Sequence, residues 1–206
     1  MKDKRILNGI GALLLLISAG LCLGWGDTWD EIRSATGNVK SVSAEFIQEK
    51  HMKILVQPLI STGIFHFQTP GSLRWEYRSP IQNILLMNNE GTVRFVKTKN
   101  GWTQDAGAGL QSMQMVLEQI TQWLSGEFEN NPIFSARLET GRKIVLTPRE
   151  ASVARMIQRV ELLLSPTAGI MNAVIIYESD DSFTKLVFKN PVINQPIKPS
   201  IFQKVK

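Results

Sequence analysis

Residues 61–80 read STGIFHFQTPGSLRWEYRSP. Apolar and polar side chains alternate in both halves of this segment, which is the period of a strand with one buried face. Phe65 and Phe67 share one face of the first half, and Leu73, Trp75 and Tyr77 share one face of the second. The Thr-Pro-Gly between the halves is typical of a turn. The segment therefore predicts two antiparallel β-strands joined by a short connection.

The same period recurs along most of the chain. Turn-forming residues separate the alternating segments at intervals of roughly ten residues, which favours a mainly β fold such as a sandwich, a curved sheet or a barrel. The dipeptide Asn100-Gly101 is the strongest hairpin signal among these turns. The further predicted strands cover residues 43–50, 84–87, 92–97, 102–104, 133–139, 143–148, 157–164, 170–178 and 182–190.

Two segments have the period of a helix instead. Thr28 and Glu31 match a capping box, so a short helix is predicted to follow Thr28 and to end in a left-handed cap at Gly37. Further along, apolar residues recur at steps of three and four from Leu110 to Leu124. This spacing predicts an amphipathic helix that ends at Gly126.

The first 24 residues have the pattern of a secretory signal peptide. A basic head precedes an apolar run at residues 10–23, and small residues close that run. A membrane span needs about 20 apolar residues, so the run is short for one, although an uncleaved anchor stays open as the alternative. The predicted cut lies between Gly20 and Trp29. Cys22 is the only cysteine, and Leu21 directly before it disfavours lipidation.

Residues 25–206 are expected to form a single domain. They carry 20 basic and 17 acidic groups, and this net charge of +3 does not predict nucleic-acid binding. With one cysteine in the whole chain, no internal disulfide can form. The tail from residue 191 to 206 contains three prolines and is predicted to be irregular, with Ile201 and Phe202 anchoring it to the body of the domain.

Candidate catalytic and metal-binding residues are few. His51 and His66 are the only histidines, and neither has a neighbour at ligand spacing. The adjacent Asp180 and Asp181 are typical of a turn rather than of paired catalytic carboxylates. The sequence contains no nucleophile elbow, phosphate-binding loop or dinucleotide fingerprint. These residues therefore argue for no enzyme and no metal site, and an enzyme with scattered catalytic residues stays open as an alternative to a binding protein.

The order of several short motifs resembles the outer-membrane lipoprotein carrier proteins, the LolA-type carriers of Gram-negative bacteria. The strongest part of the match lies in the N-terminal half and reads Phe46-x-Gln48, Ser61-x-Gly63-x-Phe65-x-Phe67 and Pro70-x-x-Leu73-Arg74-Trp75-Glu76-Tyr77-x-x-Pro80. The C-terminal half agrees through Leu146-Thr147-Pro148, Phe188-x-Asn190 and Asn194.

This resemblance implies a strongly curved antiparallel sheet that forms an incomplete, half-open β-barrel covered by helices, which act as a lid. It also implies a monomeric periplasmic carrier without a cofactor. Such a carrier receives acylated lipoproteins from an inner-membrane ABC transporter and passes them to an outer-membrane receptor lipoprotein. The alternative within the same fold is a periplasmic module that senses lipids or lipoproteins without transporting them.

The candidate lipid-binding residues lie on two strands and on the second predicted helix, which is the candidate lid. An ordinary packed core is the alternative role for some of them. The set consists of Phe65, Phe67, Leu73, Trp75, Met113, Val116 and Leu117.

The sequence departs from the carriers at one position. The carriers have an arginine linked to lid closure directly before the proline that opens the Leu-Arg-Trp strand, and this chain has Thr69 there. Arg74 lies nearby but is expected to face away from Leu73 and Trp75, because neighbouring residues of a strand point to opposite faces. The departure puts an arginine-based lid latch in doubt.

Overall fold

One antiparallel sheet of eleven strands dominates the protein in a computed structural model, which describes residues 28–105, 118–124, 131–167, 170–203 and 205. In chain order the strands are β1 (Ser41–His51), β2 (Leu59–Gln68), β3 (Ser72–Ser79), β4 (Asn83–Asn88), β5 (Gly91–Thr98), β6 (Gly101–Asp105), β7 (Phe134–Glu139), β8 (Lys143–Pro148), β9 (Arg159–Leu164), β10 (Met171–Ser179) and β11 (Ser182–Ile193). The mainly β class predicted from the alternation is therefore confirmed.

The strand order is β6-β5-β4-β3-β2-β1-β11-β10-β9-β8-β7. Strands β1 to β6 form one antiparallel meander and β7 to β11 form another, and the long β1–β11 pair joins the two halves. Within the described residues β6 and β7 each have one neighbouring strand, so the sheet stays open. This is the half-open barrel that the resemblance implies.

The sheet curves around one of its faces. Side chains from that face of β3 and of β8 belong to the same buried cluster, although five strands lie between β3 and β8 in the sheet order. Leu73 of β3 and Ile144 of β8 are both fully buried in it. A flat sheet with strands about 4.8 Å apart could not bring these residues into one core. We call this side the concave face.

In the part of the chain that the structure describes, three α-helices and one 3-10 turn accompany the sheet. They are α1 (Trp29–Gly37), α2 (helical residues 118–124), α3 (Ala151–Ala154) and the 3-10 turn Pro199–Phe202. The capping box of α1 is confirmed: Glu31 N donates to Thr28 Oγ1 at 3.2 Å, and Thr28 N donates to Glu31 Oε2 at 3.0 Å. The tail contains the 3-10 turn, and Phe202 is buried as predicted.

The left-handed cap predicted at Gly37 is wrong. Helix α1 runs through Gly37 and ends at Asn38, whose backbone is right-handed. The Asn38 side-chain amide donates to the carbonyl of Ser34 at 2.9 Å, and its backbone N–H donates to Thr36. These hydrogen bonds satisfy carbonyl groups in the last turn of α1, which a left-handed cap would otherwise have satisfied.

Gly63 is needed for the close packing of β1, β2 and β3. A Cβ at this position would lie 2.0 Å from the carbonyl oxygen of Glu76 and 2.6 Å from the ring of Phe46. The absence of a side chain lets the Phe46 ring lie across the β2 backbone on the concave face. The register of β2 and β3 shifts at the same place, between Thr62 and Gly63.

Candidate functional site

Helix α2 packs onto the concave face of the sheet. Its buried side chains are Gln119, Ile120, Trp123 and Leu124, so the apolar side predicted for this part of the helix is confirmed. The Trp123 ring meets Phe134 of β7 edge to face, with centroids 6.3 Å apart. Residues 110–117 and Gly126, which the prediction also assigned to this helix and its end, lie outside the described residues.

A small apolar cavity remains between α2 and the concave face. Its volume is about 20 Å³, which is the space of roughly one water molecule. Pockets that hold organic ligands usually measure about 300–1,000 Å³. This cavity is therefore too small to hold an acyl chain where α2 rests. The cavity is lined by Val42, Ala44, Phe65, Ile120, Leu124, Ile170, Met171, Phe188, Pro191 and Ile193.

The candidate lipid-binding residues on the strands all lie on the concave face. Phe65, Phe67, Leu73 and Trp75 are each at most 4% exposed. Phe65 lines the cavity, whereas the other three pack in the surrounding core and do not line it. Met113, Val116 and Leu117 fall outside the described residues. A role in lipid binding stays a prediction for the whole set.

An aromatic cluster forms the wall beside the cavity. The Trp75 ring lies 5.0 Å from Phe46, 5.3 Å from Phe65 and 6.2 Å from Phe188, measured between centroids. Phe46 also meets the ring of Tyr77 edge to face at 5.1 Å. The rings come from β1, β2, β3 and β11, so the cluster ties the two halves of the sheet together at the concave face.

Sequence reasoning missed the C-terminal part of the cavity wall. Pro191 is typical of a strand end, yet β11 continues past it, and Ile193 pairs with Val42 of β1. Ile193, Pro191 and Met171 thereby reach the cavity. The β-branched Val192-Ile193 pair after the proline was the one local signal that the strand continues.

Tyr77 places a neutral phenol in the aromatic wall. Its hydroxyl donates to Gln48 Oε1 of β1 at 2.7 Å. Burial raises the pKa of Tyr77 to about 12, because the phenolate would lose its hydration. Tyr77 therefore adds a hydrogen bond to the concave face without adding a charge at neutral pH.

One indole group on the concave side lacks an acceptor. Within the described part of the chain, the N–H group of Trp123 has no hydrogen-bond partner. Trp123 belongs to α2 and is 2% exposed. A buried donor without an acceptor costs about 1–3 kcal/mol. The closed arrangement of α2 therefore carries a built-in cost.

A buried amide cluster attaches α2 to the start of β7. The side-chain amide of Asn131 donates to Gln119 and, at 2.8 Å, to Gln122 of α2. Asn131 Oδ1 accepts from the backbone N–H groups of Ile133 at 2.8 Å and Phe134 at 2.9 Å. One side chain thus uses all its hydrogen-bonding groups to hold the helix to the strand.

No arginine occupies the position of the carrier latch. Thr69 lies exposed at the end of β2, where its hydroxyl donates to the carbonyl of Lys40 at 3.3 Å. Arg74 lies on the opposite, convex face, as predicted. There it pairs with Glu76 at 2.7 Å and donates to the carbonyl of Ile201 at 3.2 Å. Arg74 therefore holds the C-terminal tail, and the amide cluster around Asn131 is the attachment of α2 that the described residues show.

A larger groove lies on the convex face beside the C-terminal tail. It encloses about 1200 Å³ and is lined by apolar residues such as Leu86 and Phe95 together with His66, Arg74 and Glu76. Burial and the neighbouring Arg74 lower the pKa of His66. The charged and polar lining makes this groove a poor match for a bare hydrocarbon chain, although it is the more spacious of the two.

None of the described helices is long and apolar enough to cross a bilayer.

Comparison with known proteins shows which family and which solved structures this protein is similar to. Residues 37–205 match the family described as outer membrane lipoprotein carrier protein LolA. No curated protein matches the sequence significantly. The fold is similar to that of a LolA superfamily protein from Nitrosomonas europaea, with 10% identity, coverage of 85% of this chain and 96% of that chain, and a TM-score of 0.46.

Two further solved structures are similar at the same low level. The MucA/MucB complex of Pseudomonas aeruginosa shows 13% identity over 86% of this chain and 60% of that chain, with a TM-score of 0.41. The Mycobacterium tuberculosis lipoprotein LppX shows 14% identity over 82% of this chain and 94% of that chain, with a TM-score of 0.40. Since the family match covers most of the sequence, this protein belongs to the LolA family of outer membrane lipoprotein carriers.

Proposed function

We propose that this protein binds the acyl chains of lipoproteins on its concave face and carries them through the periplasm from the inner to the outer membrane. The observation that carries the proposal is the apolar concave face of a half-open sheet, covered by helix α2, which an amide cluster joins to the start of β7. Family membership supports the same function. The signal-like pattern of residues 1–24 supports the periplasmic location.

Binding requires α2 to leave the concave face, because the cavity beneath it is too small for an acyl chain. The three buried apolar side chains of α2 are Ile120, Trp123 and Leu124. Their burial contributes roughly 5–9 kcal/mol, at about 1.5–3 kcal/mol each. A chain of 15 carbons is worth up to about 12 kcal/mol, at about 0.8 kcal/mol per CH₂. The free energy lost when α2 leaves the concave face is therefore similar to the free energy gained when an acyl chain binds there. This near balance suits a carrier that must also release its cargo.

The unpartnered indole group of Trp123 favours the same exchange. Trp123 gains access to an acceptor when α2 moves, either from water or from an ester carbonyl of the cargo. No bond of the cargo is broken in this proposal. The protein acts as a binding surface, and the lipid is released with its mass unchanged.

Two adjacent residues of β11 provide a matched test of this site. Ile193 lines the cavity, whereas Val192 points to the opposite face and is 48% exposed. We expect Ile193→Asp to weaken binding of a fluorescent fatty acid at least about tenfold, because a carboxylate beside the chain must be desolvated. Val192→Asp should bind as the unchanged protein does. Equal affinities for the two variants would contradict the site, provided that both give the same circular dichroism spectrum.

A transfer assay distinguishes a transport function from a sensing function. Protein loaded with a lipoprotein from inner-membrane vesicles is mixed with acceptor vesicles that contain the outer-membrane receptor lipoprotein. A carrier delivers its cargo to the acceptor vesicles, and the cargo's mass is unchanged. Retention of the cargo on this protein would instead support the alternative, a periplasmic module that senses lipoproteins.

A further inference from the structure

Large exposed apolar side chains are concentrated at one end of the sheet. Eight such residues occur within the described part of the chain, and seven of them lie at the end where β1 runs into β2. These seven are Ile54, Leu55, Val56, Leu59, Ile60, Ile81 and Met156. The eighth, Val192, lies at the opposite end.

Strand pairing brings the connections of this end together. Leu59 pairs with Lys50 at the end of β1, and His51 pairs with Phe183 at the start of β11. The β3–β4 turn carries Ile81, and the neighbouring Gln82 carbonyl accepts from the backbone N–H of Lys97 in β5 at 3.0 Å. The β1–β2 loop, the β3–β4 turn and the end of β5 therefore share one edge of the molecule.

The β1–β2 loop projects its apolar side chains into solvent. Ile54 is 85% exposed and Val56 is 103% exposed, so neither packs against the body of the protein. The backbone N–H of Leu55 donates to the carbonyl of Met52 at 2.9 Å, which fixes a tight turn at the tip. A protruding tip of this kind fits into a fluid apolar medium rather than around a ligand, and exposed apolar clusters mark interaction sites.

Exposed basic residues lie at the same end of the sheet. Lys97 and Lys99 are exposed at the end of β5 and in the turn after it, and Lys97 lies over the ring of Trp102 at 5.1 Å. The basic residues at the base of the tip are paired with acidic ones: Lys53 lies 2.8 Å from Asp181, and Lys50 lies 2.5 Å from Glu178. An exposed apolar tip with Lys and Trp at the same end of the molecule is the composition of surfaces that bind at a membrane interface.

We propose that this end of the protein docks on a phospholipid bilayer, with Ile54, Leu55 and Val56 inserted among the acyl chains and the exposed Lys97 and Lys99 of the same end against the phosphates. Docking uses a surface separate from the concave face. The docking proposal can therefore be tested independently of acyl binding. Docking would let the carrier approach a membrane directly during loading or delivery.

Vesicle flotation of the secreted full-length gene product tests this proposal. The vesicles consist of phosphatidylcholine, with or without phosphatidylglycerol. We expect the unchanged protein to float with both and more strongly with the anionic vesicles. The double variant Ile54→Ser, Val56→Ser should lower the partition coefficient about tenfold or more, since it removes two apolar side chains from the tip. Lys99→Gln should reduce only the extra binding to anionic vesicles.

Controls separate docking from acyl binding and from misfolding. Val192→Ser removes an exposed apolar side chain at the other end of the sheet and should leave flotation unchanged. Ile193→Asp should float normally even though acyl binding is lost. The proposal is overturned if the unchanged protein does not float with either vesicle. Equal flotation of the double variant would also overturn it, and the tip would then be a contact for a protein partner.

Discussion

At the residue scale, strand alternation was sufficient to assign side chains to faces. Phe65, Phe67, Leu73 and Trp75 all lie on the face predicted for them, because a period of two leaves each residue only two choices. Alternation could not show that Phe65 alone of the four reaches the cavity. That distinction depends on where α2 rests, which no local pattern encodes.

Tyr77 gives a pH dependence at this scale. Its pKa is raised to about 12 in the folded protein, against an ordinary value near 10 when unfolded. The stability linked to this group is therefore complete below about pH 10 and is lost as the pH rises toward about 12. The protein has only two tyrosines, so the absorbance of tyrosinate in a Tyr177→Phe background reports Tyr77 alone.

Tyr77→Phe is the control for that titration. It should remove the loss of unfolding free energy between pH 10 and 12, since no buried phenol remains to ionise. Ionisation of Tyr77 near pH 10 in the folded protein would show that the phenol is accessible to water, contrary to its burial in the aromatic wall.

At the element scale, strands were easier to predict than element ends. Strand β8 was predicted with its observed bounds, Lys143–Pro148, whereas β11 was predicted three residues too short because Pro191 resembles a stop signal. The four-residue helix α3 was missed, since a single turn has no measurable period. The end of α1 was misassigned because the Asn38 amide serves the terminal carbonyls in place of Gly37.

The attachment of α2 gives a prediction about this element. Asn131→Ala removes both donors and the acceptor that join the helix to β7, which should lower the unfolding free energy by about 2 kcal/mol. Hydrogen exchange should become faster in residues 118–124 than in the sheet, because the amide cluster holds the helix rather than the strands.

A surface asparagine serves as the control for that variant. Asn172 is exposed on β10, so Asn172→Ala should change stability little. If Asn131→Ala leaves the exchange of residues 118–124 unchanged, the amide cluster is not what holds α2.

At the scale of the whole molecule, the curvature of the sheet could not be predicted from the periodicity of the sequence. Alternation predicts which residues are buried, but a sandwich, an open sheet and a barrel all satisfy it. The resemblance to the carriers implied the half-open barrel, and the single core shared by β3 and β8 shows it. The C-terminal tail covers part of the convex face and lines part of the cavity. Its placement could not be predicted locally, because it depends on contacts between residues more than a hundred positions apart.

Photocrosslinking with a palmitate that carries a diazirine near its methyl end shows whether an acyl chain binds on the concave face. We expect mass spectrometry to find the label on cavity residues such as Phe65, Met171 and Phe188 and on α2. Labelling confined to Leu86, Phe95 and the C-terminal tail would place the chain in the larger convex groove and would contradict binding on the concave face.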